Sequence, residues 1–214
     1  MKFIISILTL LALLSTHVKA EENESSFRFS PLLGTMLSAG GDELGSVTTY
    51  YEDGDTSTAD VTAGGLFGFY GGVYVEAANH PFAAQATIGY HFDYQGADNG
   101  SLNWNRIPLE VLGFYKVNSF KFGAGFNYSM SASFSGAGES RDFENSLGLV
   151  LQFAYLLNSG NSSVGVKYTD IEYDYKLSQE ERASVEFARV YFDEQVSFKP
   201  LDGSYIGVFY DHYF

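Results

Sequence analysis

The sequence predicts an all-β chain folded as one eight-stranded antiparallel up-and-down transmembrane β-barrel. Three observations carry this. Apolar and polar residues alternate with period two over stretches of about 12–15 residues, longer than the usual strands of a soluble sandwich. Very short and longer connections alternate between the stretches. The polar row is mostly Gly, Ser and Asn with isolated charges, and such small residues are what a narrow barrel interior holds.

The elements follow in order. Residues 1–20 read as a signal peptide. Lys2 opens it, Phe3 to Leu14 is an apolar run too short to span a bilayer, and Val18-Lys19-Ala20 places acceptable residues at a cleavage site before Glu21-Glu22. The barrel domain is then 21–214, with strands expected at 29–40, 61–76, 82–95, 102–117, 119–134, 146–157, 163–176 and 203–214. In the second, Val61, Ala63, Gly65, Phe67, Phe69, Gly71, Val73 and Val75 form one row. The fifth, FKFGAGFNYSMSASF, alternates without a break from Phe120 to Phe134, with Met130 and Ala132 in its apolar row. In the seventh, Val164, Val166 and Tyr168 share one parity while Ile171, Tyr173 and Tyr175 take the other, which predicts a bulge near Thr169-Asp170.

The short joints are Ala78-Asn79-His80-Pro81, Asn118-Ser119 and Asn158-Ser159-Gly160; the long ones are about 41–60, 96–101, 135–145 and 177–202. Asp53-Gly54 can turn a small hairpin in the first long loop, which leaves eight or ten strands open. Ser178 and Glu181 have capping-box spacing, so 177–188 can hold a short helix.

Composition excludes several classes. With no cysteine there is no disulfide, thiol nucleophile or thiolate metal site. The chain carries 12 basic against 26 acidic residues; without residues 1–20 it loses Lys2 and Lys19 and no acid, leaving a net charge of −16. That charge argues against a nucleic-acid partner, which needs a basic surface.

The apolar row faces either a soluble core or lipid. A ligand-carrying soluble barrel would turn a Lys-, Glu- and Thr-rich row to water, and that row is missing here. The bulky row is instead flanked by Tyr and Phe, as an interfacial girdle would be. The sheet must then close, because lipid offers no hydrogen bonds to a free edge. The last strand, GSYIGVFYDHYF, ends on Phe214 with Tyr210, Val208 and Ile206 behind it in steps of two. Here the sequence resembles the small OmpA/OmpX-like outer-membrane β-barrels of Gram-negative bacteria, often labelled porin-family. The resemblance covers 21–214 and implies export to the outer membrane. It implies contact with outer-membrane lipid and lipopolysaccharide, and recognition of Ile206, Val208, Tyr210 and Phe214 by the barrel-assembly machinery. His212 departs from the pattern, which usually has an aromatic residue there.

Parity turns Arg28, Glu76, Gln85, His91, Asp93, Arg106, Glu110, Lys116, Lys121, Asn127, Gln152, Lys167 and Asp211 inward. Buried charges must pair or meet water. The Asn118-Ser119 turn sets Lys116 opposite Lys121 and Glu110 opposite Asn127; Glu76 and Asp211 are the acids at that end, and Arg106 can cross to His91 or Asp93. This network reads as a structural plug, or as a gate whose pairs exchange.

His91-x-Asp93 is the His–carboxylate pair at strand spacing on one face, and for catalysis it would need a serine within reach. No serine lies in a motif, and no motif of the deacylase or palmitoyltransferase barrels is present, so no residue is assigned as catalytic. Glu52, Asp53, Asp55 and Asp60, and Glu139, Asp142 and Glu144, match no EF-hand spacing. They read as solvated loops or as bridges to lipopolysaccharide through divalent ions; no metal and no cofactor is assigned. The sequence therefore points to a non-enzymatic barrel with a structural or surface-interaction role. The alternatives are a narrow channel or small hydrophobic-solute conduit with a lateral opening near Thr169-Asp170, and then a lipid-modifying enzyme.

Overall fold

A computed structural model describes residues 27–51, 55–97, 100–136, 138–157, 160–179 and 199–214. The leader expected at 1–20, the turn expected at Asp53-Gly54 and nearly all of the short helix expected over 177–188 lie outside these. The strands are β1 (Phe27–Ala39), β2 (Glu43–Tyr50), β3 (Thr56–Thr62), β4 (Phe67–Ala77), β5 (Phe82–Ala97), β6 (Gly100–Val117), β7 (Phe120–Gly136), β8 (Glu139–Asp142), β9 (Ser146–Leu157), β10 (Ser162–Asp170), β11 (Glu172–Tyr173), β12 (Leu201–Asp202) and β13 (Tyr205–Tyr213). No described helix is long and apolar enough to cross a membrane.

Eight strands close into one barrel. Its ring runs β1, β4, β5, β6, β7, β9, β10, β13 and back to β1, with every neighbour antiparallel. The β2–β3 hairpin pairs only with itself, so the strand count is eight rather than ten. β11 pairs with β12, and β8 extends β7 beyond the rim.

Local chemistry explains the short-turn end. Asn79 and Asn118 sit at positive φ (65° and 53°), a conformation that asparagine tolerates better than most residues. Glycine in the inward row answers a different need. A Cβ at Gly125 would lie 2.0 Å from the Val111 carbonyl oxygen, and one at Gly165 2.0 Å from that of Phe153. The neighbouring backbone already fills the space, as tight closure of a small barrel requires.

Three expectations of facing are corrected. Val61 belongs to β3, not to a barrel strand, and both Val61 and Ala63 are fully buried. In β7 the register with β6 shifts between Asn105 and Ile107, and Ser131 takes φ 52°. This bulge turns Ala132 inward, where it is buried, and packs Phe134 beside it. Near Thr169-Asp170 there is no bulge: Lys167, Thr169, Ile171 and Tyr173 are all buried on one parity. The hydrophobic residues change sides there because the apolar environment does. Beside the membrane it is outside; above the rim it is inside.

That upper interior is a cap. Val61, Ala63, Leu102, Trp104, Phe143, Ile171, Tyr173 and Leu201 form a buried cluster over the long-loop mouth. Trp104 meets Phe143 and Tyr173 edge-on at 5.2 and 5.5 Å between centroids, a favoured aromatic arrangement.

Candidate functional site

Below the cap, the polar residues of the inward row stack in tiers. At the short-turn end Glu76 accepts both Arg28 and Lys116. Arg28 is exposed and the other two are partly so, which makes this tier a water-facing rim.

The next tier is buried. Lys121 lies 3.6 Å from Asp211, and both side chains are fully buried. Lys121 donates to the Tyr213 hydroxyl and sits over the rings of Phe114, Tyr213 and Tyr74 at 4.7, 4.8 and 5.2 Å. Asp211 accepts from the Tyr70, Tyr213 and Ser163 hydroxyls at 2.7, 3.1 and 3.2 Å. The carboxylate is thus solvated by hydroxyls and the ammonium by aromatic faces.

In the middle, Lys167 donates to Glu110 Oε2 at 2.5 Å and Asn127 to Oε1 at 2.9 Å. Higher still, Arg106 donates to His91 Nδ1 at 2.8 Å, to the Ala63 and Gly64 carbonyls at 2.9 and 2.8 Å, and to the Tyr173 hydroxyl at 2.8 Å. Its guanidinium lies 4.7 Å over the Tyr205 ring. Arg106 is therefore joined to β5, to the cap loop and to β11 at once. Asp93 does not meet it; one Asp93 oxygen accepts the Thr62 backbone N–H at 3.1 Å and tethers the cap a second time.

The sequence-derived set falls on these tiers: Arg28, Glu76 and Lys116 at the rim, Lys121 and Asp211 above, Glu110 and Lys167 in the middle, His91, Asp93 and Arg106 beneath the cap. Lys116 stands opposite Lys121 and Glu110 opposite Asn127 in the β6–β7 register. Sequence reasoning missed Ser38, Tyr70, Ser163 and Tyr173. Ser38 was within reach of parity, since Arg28, Ser30, Leu32, Met36 and Ser38 form one row; tyrosines on an apolar stretch look like girdle residues until the fold turns them inward.

The missing partner of His91 is Ser38, with Oγ 2.8 Å from Nε2. The directions of the bonds decide its chemistry. Arginine only donates, so Nδ1 is the lone-pair acceptor of a neutral ring. The proton is on Nε2 and points at Ser38, whose own hydroxyl goes to the Gly65 carbonyl at 3.0 Å. A general base needs the reverse arrangement. Among the described residues no group of three or more histidines and carboxylates converges to hold a metal ion.

The outer wall carries the opposite chemistry. Leu33, Leu37, Phe69, Ile88, Val111, Phe122, Phe126, Leu149, Leu151, Val166, Ile206 and Val208 all stand exposed around the ring. A soluble protein does not leave so large an apolar surface to water. Tyr and Phe cluster toward its two ends: Phe27, Phe82, Tyr115, Phe120 and Tyr155 below, Phe69, Tyr90, Tyr128 and Tyr168 above. A closed barrel with a lipid-facing belt and polar contents is the outer-membrane kind. The chain is an outer-membrane β-barrel.

At the C-terminus of this barrel Ile206, Val208, Tyr210 and Phe214 all face outward. His212 shares their parity; its Nδ1 lies 3.0 Å from Ser162 Oγ and its ring packs edge-on against Phe214. No family model and no curated protein matches the chain. Among solved structures it is similar to Ail, the attachment invasion locus protein of Yersinia pestis, at 14% identity and a TM-score of 0.44, covering 86% of this chain and 96% of that one. It is similar to Neisserial surface protein A at 10% identity and 0.41, covering 88% and 99%. The outer membrane protein AlkL follows at 13% and 0.36, covering 93% and 94%.

Proposed function

We propose that this barrel is a non-enzymatic outer-membrane protein with a structural or surface-interaction role, its lumen closed by its own side chains. One observation carries the reading: Arg106 binds the cap loop at Ala63 and Gly64 and the interior at His91. Cap and column therefore close the barrel as one unit. Work is left to the outer wall and to the acidic loops around the cap. The bond directions at Ser38 and His91 favour this over a lipid-modifying enzyme. β10 stays paired with β9 through Asp170 and with β13 through Thr169, which speaks against a conduit opening there.

The partners we propose are outer-membrane lipid and lipopolysaccharide along the belt, and the barrel-assembly machinery at Ile206, Val208, Tyr210 and Phe214. Solute and ion flux through the refolded protein in planar bilayers tests the closed lumen, with a heat-modifiable gel shift to establish folding. We expect a folded, silent protein. Discrete conductance steps altered by Arg106→Ala would make it a narrow channel instead.

A further inference from the structure

The cap hairpin hangs on two glycine pairs. The β2–β3 hairpin leaves β1 through Gly40-Gly41 and returns toward β4 through Gly64-Gly65. Gly41 and Gly65 take φ 79° and 74°, the left-handed region, and the Gly64 N–H donates to the Gly40 carbonyl at 3.2 Å. A few residues of this kind are enough to absorb a hinge motion.

One carboxylate holds the hairpin beside that hinge. Asp93 is 4% exposed, and its Oδ2 accepts the N–H of Thr62, the last residue of β3, at 3.1 Å. Its Oδ1 has no hydrogen-bond partner. The cross-strand neighbour Trp104 supplies none, since its own Nε1 is unpartnered as well. The charged and titratable groups on the surrounding elements are engaged elsewhere or turned to water. His91 on β5 and Arg106 on β6 are bonded to each other, and Tyr173 on β11 bonds Arg106 and Ser129. Asp42, before β2, accepts the Asp202 N–H, while Glu43 and Asp60 are exposed. Among the described residues no cation pairs with Asp93.

An ionised Asp93 is therefore a buried charge without a counterion, which is costly. The neutral acid bears no such cost and still offers an oxygen to Thr62. Asp93 stands above the Tyr90 girdle, within the cap and outside the membrane belt. Burial pushes its carboxyl above the usual carboxylate range, and the Thr62 N–H pulls the other way without offsetting it.

We propose that Asp93 is a proton-operated latch of the cap: its neutral acid holds the β2–β3 hairpin down over the mouth, and its ionised form loosens it. When the hairpin lifts, the carboxylate meets water and titrates as an ordinary one, so the closed cap holds the proton more tightly than the open cap. Closure is favoured in full below the ordinary carboxylate range, about pH 4. It weakens as pH rises through the higher value of the closed state. Acid tightens the cap and neutral pH loosens it.

The test is hydrogen exchange of the refolded protein in lipid nanodiscs, read by NMR. Each rate is divided by that of Asp93→Asn at the same pH, which cancels the intrinsic pH dependence of exchange. The variant is neutral at every pH and keeps an oxygen for Thr62. Two probes report on the cap: the Asp42 amide, held by the Asp202 carbonyl at 2.7 Å, and the buried Trp104 indole N–H. Their parent-to-variant ratios should be near one at about pH 4 and reach about threefold or more by about pH 8. The amides of Phe122 and Leu151 in the barrel wall should stay near one throughout. The gel shift checks folding. Cap ratios that stay flat with pH overturn the latch, and so does a rise shared by Phe122 and Leu151, because the whole barrel would then loosen. Should the variant fail to fold, the parent's Asp42 rate divided by its Phe122 rate must still rise with pH, and a constant quotient overturns the latch.

Discussion

Arg106 donates to Nδ1 of His91 across 2.8 Å, and this bond sets the direction of every hydrogen bond beyond it. The imidazole must donate from Nε2 to Ser38, and Ser38 must donate onward to Gly65. A pair that has catalytic spacing is thereby turned into a tether between β1, β5 and the cap loop.

Ser38→Ala should therefore leave the lipid A of expressing cells unchanged, as read by mass spectrometry. It should lower unfolding stability by about 1–3 kcal/mol, because Nε2–H loses its buried acceptor. Altered lipid A in the parent that disappears in Ser38→Ala would reverse the assignment of this pair.

Trp104 is the only tryptophan of the chain and is fully buried in the cap. Its fluorescence therefore reports on closure. Arg106→Ala removes the donor to Ala63 and Gly64 and should shift emission to longer wavelength, with several-fold greater acrylamide quenching, while the heat-modifiable gel shift persists. If emission stays blue and protected, the apolar cluster holds the cap without the guanidinium.

Lys167 and Glu110 form a pair that is costly to break and less costly to remove. Lys167→Met alone leaves a carboxylate in the lumen and should cost about 3–5 kcal/mol. Adding Glu110→Gln removes that charge and keeps an acceptor for Asn127, so the double variant should recover at least about 2 kcal/mol of the loss. Urea unfolding from vesicles reads both. Additive losses would mean that the two groups do not depend on each other.

The barrel itself was legible in the sequence because lipid imposes one rule on every strand: apolar outward, polar inward. From Phe120 to Ser129, or from Leu147 to Tyr155, that rule assigns each side chain to its side. The charge tiers followed from the same parity, since the Asn118-Ser119 turn sets Lys116 opposite Lys121 and the ends of their own strands put Glu76 and Asp211 at that same end. Above the rim the rule reverses. Ala132, Ile171 and Tyr173 are apolar because the cap interior is apolar, and period-two counting cannot tell an outer lipid face from an inner cap face. His91 shows the same limit in polar form: its position and Arg106 across from it were readable, but its second partner, Ser38, comes from β1, two strands away, and only the folded sheet brings that hydroxyl to Nε2.

Ser131 marks the point where the two regimes meet, and it carries a local cost. It takes φ 52°, the left-handed region, without being glycine. Its bulge lets β7 absorb one extra residue opposite β6, so that Ala132 enters the cap while Tyr128 stays in the girdle. Ser131→Gly keeps the bulge and relieves the backbone, and should raise stability by up to about 1 kcal/mol. Ser131→Val adds a β-branched side chain to the same conformation and should lower it by about 1–3 kcal/mol. Both are read by urea unfolding, with Trp104 emission showing that the cap remains closed. Equal stability of the two variants would mean that the strand straightens at this position and that Ala132 reaches the cap by another route.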